Sequence, residues 1–176
     1  MKLTWFGGTT LRVYIGGAIV VVDADGVPDG VDRGELLAGM DRSVGLSDDP
    51  AVPSIDLAQW RPRPAPRGID DVLPVEIFGI VTSALLIAAA GEPPLVILGS
   101  AEPPRFGRWA AGAVVVLPSG RDSFVAEETV LLAVARPRLI ALAADEQMLD
   151  RAVDELAEHL DGAGLVSMEP GLALEV

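Results

Sequence analysis

The strongest constraint on the fold lies in the first twenty-five residues. Leu11, Val13 and Ile15 alternate with Arg12 and Tyr14, then Gly16-Gly17 interrupts, and an apolar run from Ala18 to Val22 stops at Asp23. Alternation with period two puts one side of an extended chain in a core and the other in water, and paired glycines tolerate the positive φ of a tight hairpin. Trp5 and Phe6 precede Gly7-Gly8-Thr9-Thr10, so a first strand is expected to break at the glycines and pass the chain into the hairpin.

With 176 residues, half of them hydrophobic, the chain can bury one sizeable core, and residues 1–176 are read as one domain. The formal charge of −13 disfavours contact with phosphate backbones, so nucleic acid is not an expected partner. Cysteine is absent, which excludes disulfides, thiolate metal ligands and thiol nucleophiles and fits a cytoplasmic setting. No signal peptide is read at the N-terminus. The run Ile77 to Gly91 is uncharged, but it falls short of the roughly 20 residues a membrane helix needs, so no membrane is expected and a buried strand pair is. Lys2 is the single lysine against twelve arginines, which leaves no phosphate-loop or Schiff-base lysine unless Lys2 itself serves.

Residues 26–74 are rich in Gly, Pro, Asp and Arg and read as an irregular insertion with one short helix, Gly34 to Met40. Arg61-Pro62-Arg63-Pro64-Ala65-Pro66-Arg67 is expected to be extended polyproline II. It is either a stiff connector whose arginines meet the chain's own acids or a ligand for a protein partner, and the connector is favoured.

Beyond it, Val75 to Thr82, Ala84 to Ala89 and Leu95 to Leu98 read as strands, the last ending at Gly99-Ser100. The order of strand, turn, apolar strand and small polar residue repeats the opening layout, as two duplicated halves stacked face to face would. A strand at Gly112 to Leu117 follows, then Pro118-Ser119-Gly120, then a helix from about Val125 to Ala135 capped by Asp122 or Ser123. Leu139 to Ala143 is a strand. Asp145 caps a helix whose Leu149, Ala152, Val153, Leu156 and Leu160 share one face, with Gly162 or Gly164 stopping it. A hairpin, Leu165 to Met168 and Leu172 to Val176, closes the chain.

These segments together resemble the metallo-β-lactamase-fold hydrolases, especially their small lactonase-like branch, whose chains open with strand, Gly-His-Ser, strand, Gly-Gly turn, strand, Asp. The resemblance implies an α/β fold in its compact, reduced form: a two-sheet sandwich flanked by helices, in αββα order. Gly7-Gly8-Thr9 stands where the family has Gly-His-Ser, Gly99-Ser100 where it has Gly-Asp, and Asp23 where it has the acid closing the third strand. Pro118-Ser119-Gly120 resembles a family turn, and Arg136-Pro137-Arg138 resembles the Lys-Pro-Lys that leads to a final histidine.

The family's His-x-His-x-Asp-His cluster has no counterpart. A zinc centre of that kind uses neutral imidazoles and carboxylates, about four ligands at roughly 2.0–2.2 Å. This chain has one histidine, His159, read as a surface residue near a helix C-terminus, where its cation is favoured. Ser119 lacks the glycine two residues earlier that a nucleophile elbow needs, since Leu117 stands there. Asp41, Asp48, Asp49, Asp56, Asp70 and Asp71 lack calcium-loop spacing and read as solvated turn residues.

The expected function is therefore a metal-free, cofactor-free binding or structural module, with Gly8, Thr9, Asp23, Ser100 and Ser119 lining a remnant pocket. The alternative is a hydrolase using carboxylates and serines around Asp23, Ser100 and Ser119, or a hard metal held by aspartates. A homodimer formed through an apolar sheet edge or face is the expected assembly.

Overall fold

A computed structural model of the chain describes residues 1–46, 49–65, 73–80, 83–99, 104–118, 135–156 and 159–176. The opening behaves as the alternation predicts. Strands β1 (Lys2–Gly7), β2 (Thr10–Ile15) and β3 (Ala18–Val22) form an antiparallel meander. Its second turn places Gly16 and Gly17 at φ +56° and +82°, the left-handed pair of a two-residue hairpin. By ordinary strand alternation Trp5 faces the core between the sheets while Phe6 packs on the opposite side of its sheet, and the register shifts between Trp5 and Gly7 as the strand ends.

The segment read as irregular contributes to both sheets. Helix α1 (Arg33–Leu37) is shorter than the expected Gly34 to Met40 and starts at Asp32, whose carboxylate accepts from Gly34 N at 2.7 Å. Strand β4 (Arg42–Val44), absent from the sequence reading, then pairs parallel with β3. It carries one buried residue, Val44, too little for a periodic signal. Farther on, Ile55 N donates to Gly79 O, and Leu57 and Trp60 enter the core.

The second sheet holds β5 (Glu76–Gly79), β6 (Ala84–Ala88), β7 (Leu95–Leu98), β8 (Val114–Pro118), β9 (Leu139–Ala143) and β10 (Gly164–Ser167). The sheet orders are β11-β1-β2-β3-β4 and β10-β9-β8-β7-β6-β5, where β11 is Ala173–Glu175. Strands β5 to β8 repeat the pairing of β1 to β4: two antiparallel contacts followed by a parallel one. The duplicated layout is thus present in topology. Strands β6, β7 and β8 are buried along their whole length, as expected for a sheet covered on both faces.

Three apolar layers follow. Leu3, Val13, Ile15 and Val20 meet Leu85, Ile87, Ile97 and Val116 between the sheets. On the outer side of the second sheet, Leu86, Val96, Val115 and Ile140 pack against Trp60, Trp109 and helix α2 (Glu146–Leu156). On the outer side of the first sheet, α1 covers Phe6 and Val21 through Leu36.

Helix α2 has the expected cap, Met148 N donating to Asp145 Oδ1 at 2.9 Å. Ala152 and Leu156 are buried, but Val153 is 45% exposed. Ala152 and Val153 flank the apolar stripe at opposite edges, and the helix leans onto the alanine side. Gly164 does not stop this helix: it opens β10, while Gly162, at φ +91°, lies in the turn before it.

The expected C-terminal hairpin does not form. Strand β10 runs parallel to β9, whereas β11 crosses to the first sheet and pairs antiparallel with β1. Met168, buried between the sheets, donates its N–H to Leu142 O, and Gly171 N–H reaches Trp5 O at 2.7 Å. The Pro170-Gly171 turn therefore bridges the sandwich. Pro118, expected to lie beyond a strand running from Gly112 to Leu117, is instead the last residue of β8, paired with Ala143. The helix expected at Val125 to Ala135, with its cap at Asp122 or Ser123, lies outside the described residues except for Ala135, which is helical and buried.

Candidate functional site at the strand ends

Strand β3 ends in a residue with an uncommon backbone. Asp23 sits at φ +48°, ψ +51°, a left-handed conformation that aspartate tolerates better than most residues. Its backbone N–H donates to Val44 O at 2.9 Å. Its carbonyl accepts from the buried Thr10 hydroxyl at 2.8 Å and from Gly26 N at 3.0 Å. Its carboxylate Oδ1 accepts the N–H of Leu46 at 2.7 Å. One residue thus ties β2, the turn Ala24–Gly26 and the chain leaving β4.

Gly8 and Thr9 lie beside it. Trp5 Nε1 donates to Gly8 O at 3.0 Å, which fixes the turn between β1 and β2. Gly8 has φ +53°, and a Cβ there would find Gly26 O at 3.9 Å as its nearest neighbour. At Gly26, a Cβ would lie 3.8 Å from both Thr9 Oγ1 and the Asp23 Cβ. Three of the five expected pocket residues, Gly8, Thr9 and Asp23, therefore meet around Gly26. Ser100 and Ser119 lie outside the described residues.

Across from this cluster, at the end of β7, stands Gly99. A Cβ on Gly99 would sit 2.5 Å from Leu46 Cδ2 and 2.8 Å from Ser83 O. Leu46 is 3% exposed and belongs to the core between the sheets. Where the two sheets' strand ends face each other, a leucine fills the space, and its own amide engages the nearest carboxylate. Leu46, Gly99 and Thr10 are not among the site residues expected from the sequence. Leu46 and Gly99 matter through a contact across the sandwich, and no local pattern marks such a contact.

Among the described residues, the donor set at these strand ends does not fit the zinc centre that the fold family implies. The positions facing one another carry Gly8, Asp23, Leu46 and Gly99, and the Asp23 carboxylate already holds a backbone amide. The chain's one histidine, His159, follows α2, which packs on the outer side of the second sheet. Among the described residues no three His, Cys, Asp or Glu side chains gather to hold a metal.

Three aspartates of the irregular segment expected in turns accept backbone amides. Asp41 accepts from Ile19 N, Asp49 from Ala51 N and Asp56 from Ala58 N. Asp49 and Asp56 hold their own turns, as expected, whereas Asp41 reaches back to β3. Asp48, Asp70 and Asp71 lie outside the described residues.

No protein-family model matches the sequence, and no curated protein does either. Solved structures do. The chain superposes on an isothiocyanate hydrolase from Delia radicum gut bacteria with a TM-score of 0.59 and 15% identity, covering 99% of each chain. It superposes on Igni18, a metallo hydrolase from the archaeon Ignicoccus hospitalis, with a TM-score of 0.50 and 15% identity over 99% of this chain and 98% of that one. A third match is a Thermotoga maritima protein assigned to the Zn-dependent hydrolases of the metallo-β-lactamase superfamily, with a TM-score of 0.51 and 15% identity over 96% and 98%. The helix-flanked pair of mixed sheets, the repeated strand pairing and these superpositions give one conclusion: the chain has the metallo-β-lactamase fold.

Proposed function

We propose that this chain is a non-catalytic, metal-free form of the fold, serving as a binding or structural module. The observation that carries the reading is Leu46, which packs against Gly99 and donates its amide to Asp23 where strand ends of both sheets meet. A catalytic centre needs open space for substrate and free donor atoms, and these two contacts fill the space beside Gly99 and engage one oxygen of Asp23. The solved neighbours are hydrolases, and this chain shares their fold at 15% identity, a distance at which fold does not carry activity.

Within the Arg61–Arg67 segment, of which residue 67 lies outside the described residues, Arg61 and Arg63 support the connector reading over a docking peptide for a protein partner. Arg63 pairs with Glu76 at 2.7 Å, and Arg61 Nη1 donates to Ala58 O and Trp60 O. The arginines described there are engaged by the chain itself.

Zinc titration of the purified full chain, followed by dialysis and elemental analysis, tests the proposal. Retention well below one zinc per chain is expected. Stoichiometric, tightly held zinc would overturn it, as would p-nitrophenyl acetate turnover that Asp23→Asn abolishes. The second outcome would favour the hydrolase built on Asp23.

A further inference from the structure

Strands β10 and β11 are the end strands of their sheets, and residues 168–172 join them, so both sheets end on one flank. Neither edge is closed. Val176 and Met1 exchange both backbone bonds, at 3.0 and 3.2 Å. In an antiparallel pair such exchanges alternate with residues that point the other way. Leu174 therefore bonds to Leu3, and the N–H and C=O of Ala173 and Glu175 point off the edge. On β10, Gly164 and Met168 donate to Arg138 O and Leu142 O, so Leu165 and Ser167 between them turn their backbone groups outward. No backbone partner meets these outward groups among the described residues.

A free edge is a template for another strand, and the side chains on this one suit a copy of itself. Leu174 and Val176 pack on the core between the sheets. Leu172, two residues earlier, falls on the same side by the period of two, yet it is 60% exposed. A two-fold axis through Leu174 sets that residue against the partner's Leu174, and Leu172 against the partner's Val176. The same axis sets Ala173 against the partner's Glu175, so the two glutamates do not stand opposite each other, as they would with the axis through Glu175. An extended peptide would complete only one sheet. A second copy turned about an axis normal to the sheets keeps each sheet level with its counterpart, and so meets both edges.

We infer that this flank pairs two copies of the chain, β11 running antiparallel to the partner's β11 about Leu174. The flank is about five residues long and two sheets deep, roughly 16 Å by 20 Å, well below the roughly 800 Å² each partner of a stable dimer buries. The dimer is accordingly weak, with a dissociation constant of about 100 µM. It uses neither Asp23 nor Leu46, so it stands or falls independently of the strand-end reading.

Sedimentation equilibrium of the full chain, from about 10 µM to about 1 mM, tests the pairing. Association with that constant is expected at about 0.15 M salt and should tighten at about 0.5 M, because two chains of −13 repel and salt screens the repulsion. Ala173→Pro removes an outward N–H and no bond to β1, a position where an edge strand accepts proline. It should weaken association at least about tenfold with an unchanged urea midpoint. The chain has no cysteine, so Leu174→Cys tests the register. Across the two-fold its Cα would lie about 4.5 Å from its counterpart, within the roughly 4.4–6.8 Å a disulfide spans. Mild oxidation should link this variant into dimers and leave Ala111→Cys, an exposed position before β8, monomeric. A chain that stays monomeric at the highest concentration, association that weakens with salt, or unchanged association in a folded Ala173→Pro would overturn the pairing. Equal crosslinking of the two cysteine variants would do the same, and that comparison decides alone if Ala173→Pro does not fold.

Discussion

Leu46 and Gly99 are matched in volume: one fills what the other leaves open. Leu46→Ala should cost about 2–4 kcal/mol, the price of a cavity in a closed core. Gly99→Ala should cost about 1–3 kcal/mol because its methyl meets both Leu46 Cδ2 and Ser83 O. In the Leu46→Ala background the contact with Leu46 Cδ2 is gone, so the glycine substitution should cost at least about 0.5 kcal/mol less there. Urea denaturation of the four proteins measures this coupling, and strictly additive losses would mean that Leu46 is not what excludes a side chain at residue 99. Part of the site was legible without coordinates. Asp23 closes an apolar strand, and Gly8 and Thr9 stand in a glycine turn, so their places at strand ends could be read from local pattern. Leu46 follows the unremarkable segment Arg42-Ser43-Val44-Gly45, and its importance arises only from a neighbour on the other sheet.

The β2–β3 hairpin separates two glycines that look equivalent in sequence. Both have positive φ, but a Cβ on Gly17 would meet nothing within 4 Å, while one on Gly16 would lie 2.6 Å from the Ala89 Cβ. Gly17→Asn should therefore stay within about 0.5 kcal/mol of the parent, since asparagine tolerates the left-handed region. Gly16→Asn adds a clash with the second sheet and should lose about 1–3 kcal/mol. Thermal or urea unfolding of the pair checks the difference, and equal losses would contradict this packing. The same contrast explains which elements could be read in advance. Strands β1 to β3 and β6 to β9 announce themselves by alternation or by apolar runs, because burial on one or both faces writes a local pattern. β4 is three residues long with one buried side chain, and it exists because β3 offers it an edge. β10 and β11 were recognisable as extended, but adjacency suggested a hairpin, and separate sheets claimed them.

Across the whole molecule, Glu92 joins the two sheets at the end bearing the Gly16-Gly17 turn. Its Oε1 accepts from Gly16 N at 2.7 Å, and its Oε2 lies 3.3 Å from the Met1 amine. Glu92→Ala should cost about 1–3 kcal/mol by leaving both donors without this acceptor. Glu92→Gln, which keeps an acceptor for Gly16, should cost less; the order is read from urea midpoints, and equal costs would mean that the negative charge, not the acceptor, holds this end together. By itself the sequence determined the alternating and apolar strands, the tight turn, the capped last helix and the lack of an imidazole cluster. Each of these follows from composition or from periodicity within a few residues, where backbone geometry alone sets the pattern. Only the tertiary structure decided which strands pair, that β11 crosses the sandwich, and that Leu46 packs against Gly99 at the strand ends. Those outcomes depend on contacts between distant segments, which compete for the same edges and volume once the chain has closed on itself.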